Sequence, residues 1–231
     1  MPDVMNEWET IDYLVKHRCG ISRFGDGELK LCMGQSTKTQ VYTPQIAARM
    51  REILKSKRKE CLVAIPRFNR VFPTEKKKLH WAQYNTPRYN DLYRPGKTYG
   101  SAYITRLDEI PDIDCPEYWE KVKQIWRGRS VVVLQGERKP FLKRPDILDD
   151  ATSFNVLYGP VTSAFSEYAK LLYMMTEETT VDDVVIIALG ATATVMAYDL
   201  SLIGRQALDL GHMGMFYARA HSKQTGEKDG Y

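Results

Sequence analysis

Two short apolar runs constrain this chain more than anything else in it. SVVVLQ (Ser130 to Gln135) and DVVIIAL (Asp183 to Leu189) are each stopped by a glycine, Gly136 and Gly190. Runs of β-branched residues without polar alternation form strands buried on both faces. Such strands need helices above and below, and helical periodicity flanks both runs. Thr162 to Met175 places Phe165, Tyr168, Ala169 and Leu172 on one face, and the segment opened by Gly190-Ala191-Thr192 stays apolar to near Gly204. Strands alternating with helices predict an α/β fold with a mostly parallel sheet flanked by helices.

The remaining segments read the same way. Asn6 to Arg18 predicts a helix, with Asn6 and Glu9 as a capping box and Gly20 as its end. A strand over Gly20 to Phe24 follows, broken by Gly25-Asp26-Gly27-Glu28. Thr43-Pro44 starts a second helix, with Pro at its first position. Cys61 to Ile65, Ser101 to Thr105, Ser153 to Leu157 and Gln206 to Leu210 are further strands, and Pro116 to Trp126 a further helix. Residues 67 to 98 are aromatic, basic and punctuated by proline, which predicts short helices and loops.

Composition narrows the function classes. At 231 residues, 43% hydrophobic and 27% charged, the chain suits one large soluble domain rather than a disordered or fibrous one. Residues 1–220 are expected to form that domain, and the polar stretch 221–231 a flexible tail. Mean hydropathy is −0.41, and no apolar run approaches the ~18 residues of a membrane span. Asp3, Glu7 and Glu9 stand where a signal peptide needs a basic start and an apolar core, so the expected location is cytoplasmic. Net charge is +4, from 33 basic and 29 acidic residues, which argues against a nucleic-acid partner. Lys55, Lys57, Arg58 and Lys59, and again Lys76 to Lys78, read as solvated faces. Arg138, Lys139, Lys143 and Arg144 follow a strand, where positive charge serves an anionic ligand as readily as solvent. The four cysteines, Cys19, Cys32, Cys61 and Cys115, lack CxxC spacing, so neither a zinc site nor a disulfide framework is indicated.

In a parallel sheet, ligands bind at the carboxyl ends of strands. Four strand ends here carry suggestive residues. Asp26 and Glu28, set among glycines, can direct two carboxylates at one hard cation, or can be exposed acids in a turn. Gln135-Gly136-Glu137-Arg138-Lys139 can meet a diphosphate, or can be a charged surface loop. Gly190-Ala191-Thr192 offers backbone N–H groups at a helix start, which suits an anion and equally suits tight helix–strand packing. It is neither a GxGxxG fingerprint nor a Walker loop. Asp209-Leu210-Gly211-His212 places an acid and a histidine just past a strand, where they can supply a general base or a metal ligand, or the histidine can be structural. Taken together they favour an enzyme acting on a phosphorylated or nucleotide-linked substrate with a divalent cation. Trp81, Tyr84, Tyr89, Tyr93, Tyr99 and Tyr103 crowd the middle of the chain, as an acceptor groove or as core packing.

Five blocks occur in a telling order: RFGDGE (Arg23 to Glu28), AYITR (Ala102 to Arg106), VVVLQGE (Val131 to Glu137), LGATATVMAYDL (Leu189 to Leu200) and ALDLGH (Ala207 to His212). The combination resembles the GT-D class of glycosyltransferases, a bacterial family long known as a domain of unknown function. The resemblance implies a single Rossmann-like α/β domain that transfers a hexose from a UDP-sugar donor to a glycan or glycoconjugate acceptor. It also implies a DxE motif working with a divalent cation, Mn²⁺ or Mg²⁺. By match, Asp26 and Glu28 are that pair, and Arg23 and Gly25 shape the site. Arg106, Gly136, Lys139, Arg144, Gly190 and Thr192 are the implied donor contacts. Asp209 or His212, with Glu137 in reserve, is nominated to take the acceptor's proton. The chain departs from the family pattern after DLGH, at Met213-Gly214-Met215-Phe216, and in the loop holding Pro140 and Pro145, which leaves the acceptor open. Two other readings stand beside this one: a metal-dependent phosphohydrolase or nucleotidase using the same acids, and a non-catalytic nucleotide-binding module. Oligomeric state is open, a homo-oligomer included.

Overall fold

The computed structural model describes residues 2–106, 108–110, 113–137 and 144–226. Among them the two apolar runs form adjacent strands, β5 (Ser130–Gly136) and β7 (Val184–Ala188), paired in parallel from Val131↔Val184 to Gln135↔Ala188. Alternate residues pack into separate clusters. Val131, Val133, Val184 and Ile186 face one layer, and Val132, Leu134, Val185 and Ile187 the other. Each fully buried aliphatic side chain contributes roughly 1.5–3 kcal/mol, so these eight residues anchor the sheet.

The other strands are β1 (Asp3–Val4), β2 (Gly20–Arg23), β3 (Cys61–Ile65), β4 (Thr98–Ser101), β6 (Ser153–Gly159) and β8 (Gln206–Asp209). Their order is β1-β4-β3-β2-β8-β7-β5-β6. Every pairing among the described strands is parallel. The helices are α1 (Glu7–His17), α2 (Asp26–Cys32), α3 (Pro44–Lys55), α4 (Glu75–Ala82), α5 (Pro87–Asn90), α6 (Pro116–Lys123), α7 (Tyr168–Glu178), α8 (Ala191–Leu202) and α9 (Met213–Thr225). The expected Rossmann-like α/β architecture is present.

Local chemistry explains most boundaries. Asn6 and Glu9 close the expected capping box on α1, and Thr43 caps α3 through the Ile46 N–H at 3.3 Å. Helix α1 ends earlier than Gly20, at Arg18 in the left-handed region (φ 48°), and Gly20 begins β2 instead. Strand β4 lies three residues before its expected position. It pairs with β3 through Ala64↔Gly100 and Ile65↔Ser101, and Pro66 follows the end of β3, so the pairing stops at Ser101. The expected helix at Thr162 begins as a 3-10 turn at Ala164–Glu167 and becomes α-helical only at Tyr168. Helix α9 continues to Thr225, across the expected tail boundary at 220.

Strand β2 sits mid-sheet and hands the chain outward to β3 and β4. On the other half, β5 leads outward to the edge strand β6, while its neighbour β7 leads inward through α8 to β8. The loops leaving β5 and β7 therefore part, and a crevice opens where such loops diverge. Helix α8 packs chiefly against β2 and β8. Ten of its twelve residues are buried, as in a helix packed between the sheet and other helices.

Candidate functional site

Loops at the carboxyl ends of β2, β4, β5, β7 and β8 enclose a pocket of about 880 Å³. Among the residues lining it is Arg23, the last residue of β2, only 9% exposed. Its guanidinium donates to the Asp209 carbonyl, to Ala102 O at 3.2 Å and to Thr105 Oγ1 at 2.8 Å. Asp209, at the end of β8, accepts the Arg23 main-chain N–H on Oδ2 at 3.3 Å, and its other oxygen lies 3.9 Å from the guanidinium. The Thr194 hydroxyl is 3.0 Å from both Asp209 Oδ2 and Arg23 O. Burial makes both charges harder to hold, lowering the Arg23 pKa and raising that of Asp209, and each partner opposes the shift in the other. Gly211 makes room for this pair. Its φ is +49°, and a Cβ there would stand 2.8 Å from Arg23 Nη2. So Asp209 is held as the counter-ion of Arg23, and as a proton acceptor it would have to give that pairing up.

Asp26 and Glu28 both line the pocket, but on a helix rather than a bare turn. They are the first and third residues of α2, roughly 200° apart around its axis, so they do not share a helix face. Glu28 turns back, and its Oε2 accepts the Gly25 N–H at 2.8 Å. Gly25 permits this, because a Cβ there would lie 3.1 Å from Glu28 Oε2. Asp26 is partly exposed, 3.3 Å from Lys30 Nζ and 3.9 Å from His80 Nε2. Burial, then the nearby Asp209 charge, pushes the Glu28 carboxyl up to about 7. Among the described residues Glu28 has no basic side chain within ion-pair distance. The donor set suits a divalent cation of the Mg²⁺ or Mn²⁺ kind, which one or two carboxylates hold together with substrate oxygens and water. It is no all-protein cage: among the described residues no three His, Cys, Asp or Glu side chains gather to hold a metal.

The remaining expected site residues divide. Gly190 lines the pocket at φ +53°, a conformation that favours glycine, and starts α8 without a side-chain cap. Gly136 and Arg106 also line it. Arg106 is clamped by Asp108, at 2.8 and 3.0 Å. Burial alone would raise the Asp108 carboxyl, but Arg106 and Lys77 outweigh it and hold it far below the usual carboxylate range. His212 is exposed, precedes α9 and faces the pocket. Thr192 is buried instead, its hydroxyl donating to Gln40 Oε1 at 3.2 Å. Glu137 is exposed, and its main-chain N–H donates to Gly159 O at 3.2 Å, away from the pocket lining. Arg144 pairs with Asp146 at 3.1 Å and with His221 at 2.8 Å, also off the lining. Lys139, with the rest of 138–143, lies outside the described residues.

The aromatic segment is mostly core. Tyr84, Tyr93 and Tyr99 are buried, whereas Trp81 and Tyr103 pack edge to face at 5.5 Å and form a pocket wall. A further wall comes from Ser36 to Thr39, between α2 and α3, which no motif in the sequence had marked. Gln40 ties that loop down, accepting from Thr192 and from the Phe165 N–H at 3.4 Å. Its only sequence signal is a glutamine after Ser-Thr-Lys-Thr, too common to single out.

The sequence pattern of the glycosyltransferase GT-D fold matches residues 21–227. The chain belongs to the GT-D glycosyltransferase family. This GT-D chain is 30% identical to Glycosyltransferase GlyD of Streptococcus pneumoniae serotype 4, over 90% of its own length and 26% of GlyD. It is 28% identical to the Probable glycosyl transferase Gly of Streptococcus gordonii, over 90% of this chain and 32% of that one. The chain therefore spans about a quarter to a third of these relatives. Its fold superposes, at a TM-score of 0.87 and 28% identity, on a solved structure of the highly conserved domain of unknown function 1792, described as having a distinct glycosyltransferase fold. That match covers 97% of this chain and 82% of the other. Among the described residues of the GT-D domain, no helix is long and apolar enough to cross a membrane.

Proposed function

We propose that this GT-D domain transfers a hexosyl group from a UDP-sugar to a hydroxyl of a glycan or glycoconjugate, with Mn²⁺ or Mg²⁺ at Asp26 and Glu28. One observation carries the reading: two carboxylates and the uncapped start of α8 open on one pocket of about 880 Å³, large enough for a nucleotide-sugar. When bound, the cation supplies Lewis-acid stabilisation of the departing diphosphate. The chain's own residues do the rest. Arg23, fixed by Asp209, Ala102 and Thr105, sets a buried positive charge on the pocket lining. Gly190 and Ala191 present the positive end of α8 to phosphate oxygens. His212 is the proton acceptor for the acceptor hydroxyl, because it faces the pocket and Asp209 is engaged with Arg23. Trp81 and Tyr103 close one wall against water.

The test is transfer itself. Incubating the domain with radiolabelled UDP-hexoses, Mn²⁺ and candidate acceptors should place label on an acceptor. Release of free sugar or phosphate alone, with every acceptor tried, would point to a hydrolase.

A further inference from the structure

Four cationic side chains line the pocket: Arg23, Lys30, Lys38 and Arg106. Three already have carboxylate partners. Arg23 lies against Asp209, Lys30 against Asp26, and Arg106 against Asp108 and Glu109. Among the described residues Lys38 has no ion pair, and it is exposed to the pocket. Of the three carboxylates on the lining, Asp26 and Asp209 are paired and Glu28 is not. One carboxyl group and one ammonium group, neither in an ion pair among the described residues, therefore line the same cavity.

The loop bearing Lys38 is braced rather than loose. The Thr37 hydroxyl accepts the Gln40 N–H at 2.9 Å, and Thr37 N–H donates to Gln40 O at 2.9 Å. Ser163 N–H donates to Thr39 O at 2.7 Å, which ties the loop to the segment after β6. Across the pocket rim, the position of a Cβ on Gly190 is 3.5 Å from Thr39 Oγ1, so the loop abuts the start of α8. A cation on a braced loop binds an anion without the ordering cost of a mobile one.

We infer that Lys38 is a donor-binding residue, its ammonium contacting the diphosphate of a nucleoside diphosphate-sugar. The inference rests on the donor reading proposed above. A diphosphate whose cation would be held by Asp26 and Glu28 still carries phosphate oxygens for an ammonium to meet, and Lys38 lines the same pocket. Lys38 thus distinguishes a phosphorylated ligand from the bare nucleoside.

Calorimetric titration of UDP, with and without Mn²⁺, into wild type, Lys38→Met and Lys38→Arg tests this, with uridine as the phosphate-free control. Loss of one charge-assisted contact should weaken UDP binding by Lys38→Met roughly tenfold or more. Lys38→Arg should recover most of that loss, and uridine binding should not change. Because Lys38 is exposed and has no partner to leave stranded, the melting midpoint without ligand should stay at the wild-type value. UDP affinity of Lys38→Met within twofold of wild type overturns the inference while leaving the donor reading standing. An equal loss for uridine overturns it too, by assigning Lys38 to the base or ribose. A wild type that binds no UDP in either condition refutes the donor reading itself.

Discussion

Arg23 and Asp209 close the seam between β2 and β8: the Asp209 side chain accepts the Arg23 main-chain N–H at 3.3 Å, and the Asp209 carbonyl accepts from the Arg23 guanidinium. Each is at most 9% exposed. Removing one partner strands a buried charge, which costs about 3–5 kcal/mol. Asp209→Ala should therefore lower the melting midpoint by roughly 6–20 °C at 2–4 °C per kcal/mol, and activity should fall with it. Calorimetry beside a transfer assay checks this. A native midpoint with activity abolished would instead make Asp209 the proton acceptor.

The two acids of α2 should separate cation binding from folding. Asp26→Asn and Glu28→Gln keep side-chain oxygens, and Glu28→Gln retains an acceptor for the Gly25 N–H. Each should keep the fold and lower Mn²⁺-dependent transfer about 100-fold, the upper range for groups that support a metal. Circular dichroism and a Mn²⁺ titration of turnover read the two effects apart. Unchanged Mn²⁺ dependence in the double variant would remove both residues from cation binding.

His212 is exposed and lines the pocket. His212→Ala should leave the midpoint near wild type while turnover drops about 10²–10⁴-fold, the range for a general base. Glu137→Gln, off the pocket lining, should turn over normally. Near-normal turnover by His212→Ala would send the search for the proton acceptor elsewhere.

Lys97 supplies a pH signature remote from the pocket. Its ammonium donates to Ser56 O at 2.7 Å, yet burial pushes its pKa down from 10.5 to about 8. Between about pH 8 and 10.5 the unfolded chain still holds the proton that the folded chain has released. Raising pH through that window therefore adds stability from this group. Buried thiols, among them Cys61 with its pKa pushed up to about 11, act in the opposite sense. The quantity to measure is thus the difference between wild type and Lys97→Met in urea melts from pH 7.5 to 10.5. Wild type should gain on the variant as pH rises, and a flat difference would mean Lys97 keeps its ordinary pKa.

Much of the frame was legible because periodicity and capping are local. The runs at Val131 and Val184 named their strands, and Asn6 with Glu9 and Thr43 with Pro44 named two helix starts. Asp26 and Glu28 were legible as a pair but not as the first turn of α2, since glycines at 25 and 27 read as a break. What makes the helix is the Glu28 side chain returning to the Gly25 N–H. Strand β4 ends earlier than its local pattern predicts because its neighbour β3 ends at Ile65, before Pro66, more than thirty residues earlier in the chain.

The sequence by itself determined the parallel α/β class, the strand ends that carry polar residues and the family's motif blocks, all of which depend on neighbours within a few residues. Only the tertiary structure decided which polar residues act together. Strand order brings Asp209 against Arg23, 186 positions away, and turns a candidate base into a counter-ion. The same folding lays the loop of Lys38 beside Gly190 and buries Thr192 against Gln40. Charges are balanced through space, and no local pattern records which acid will face which base once the sheet has assembled.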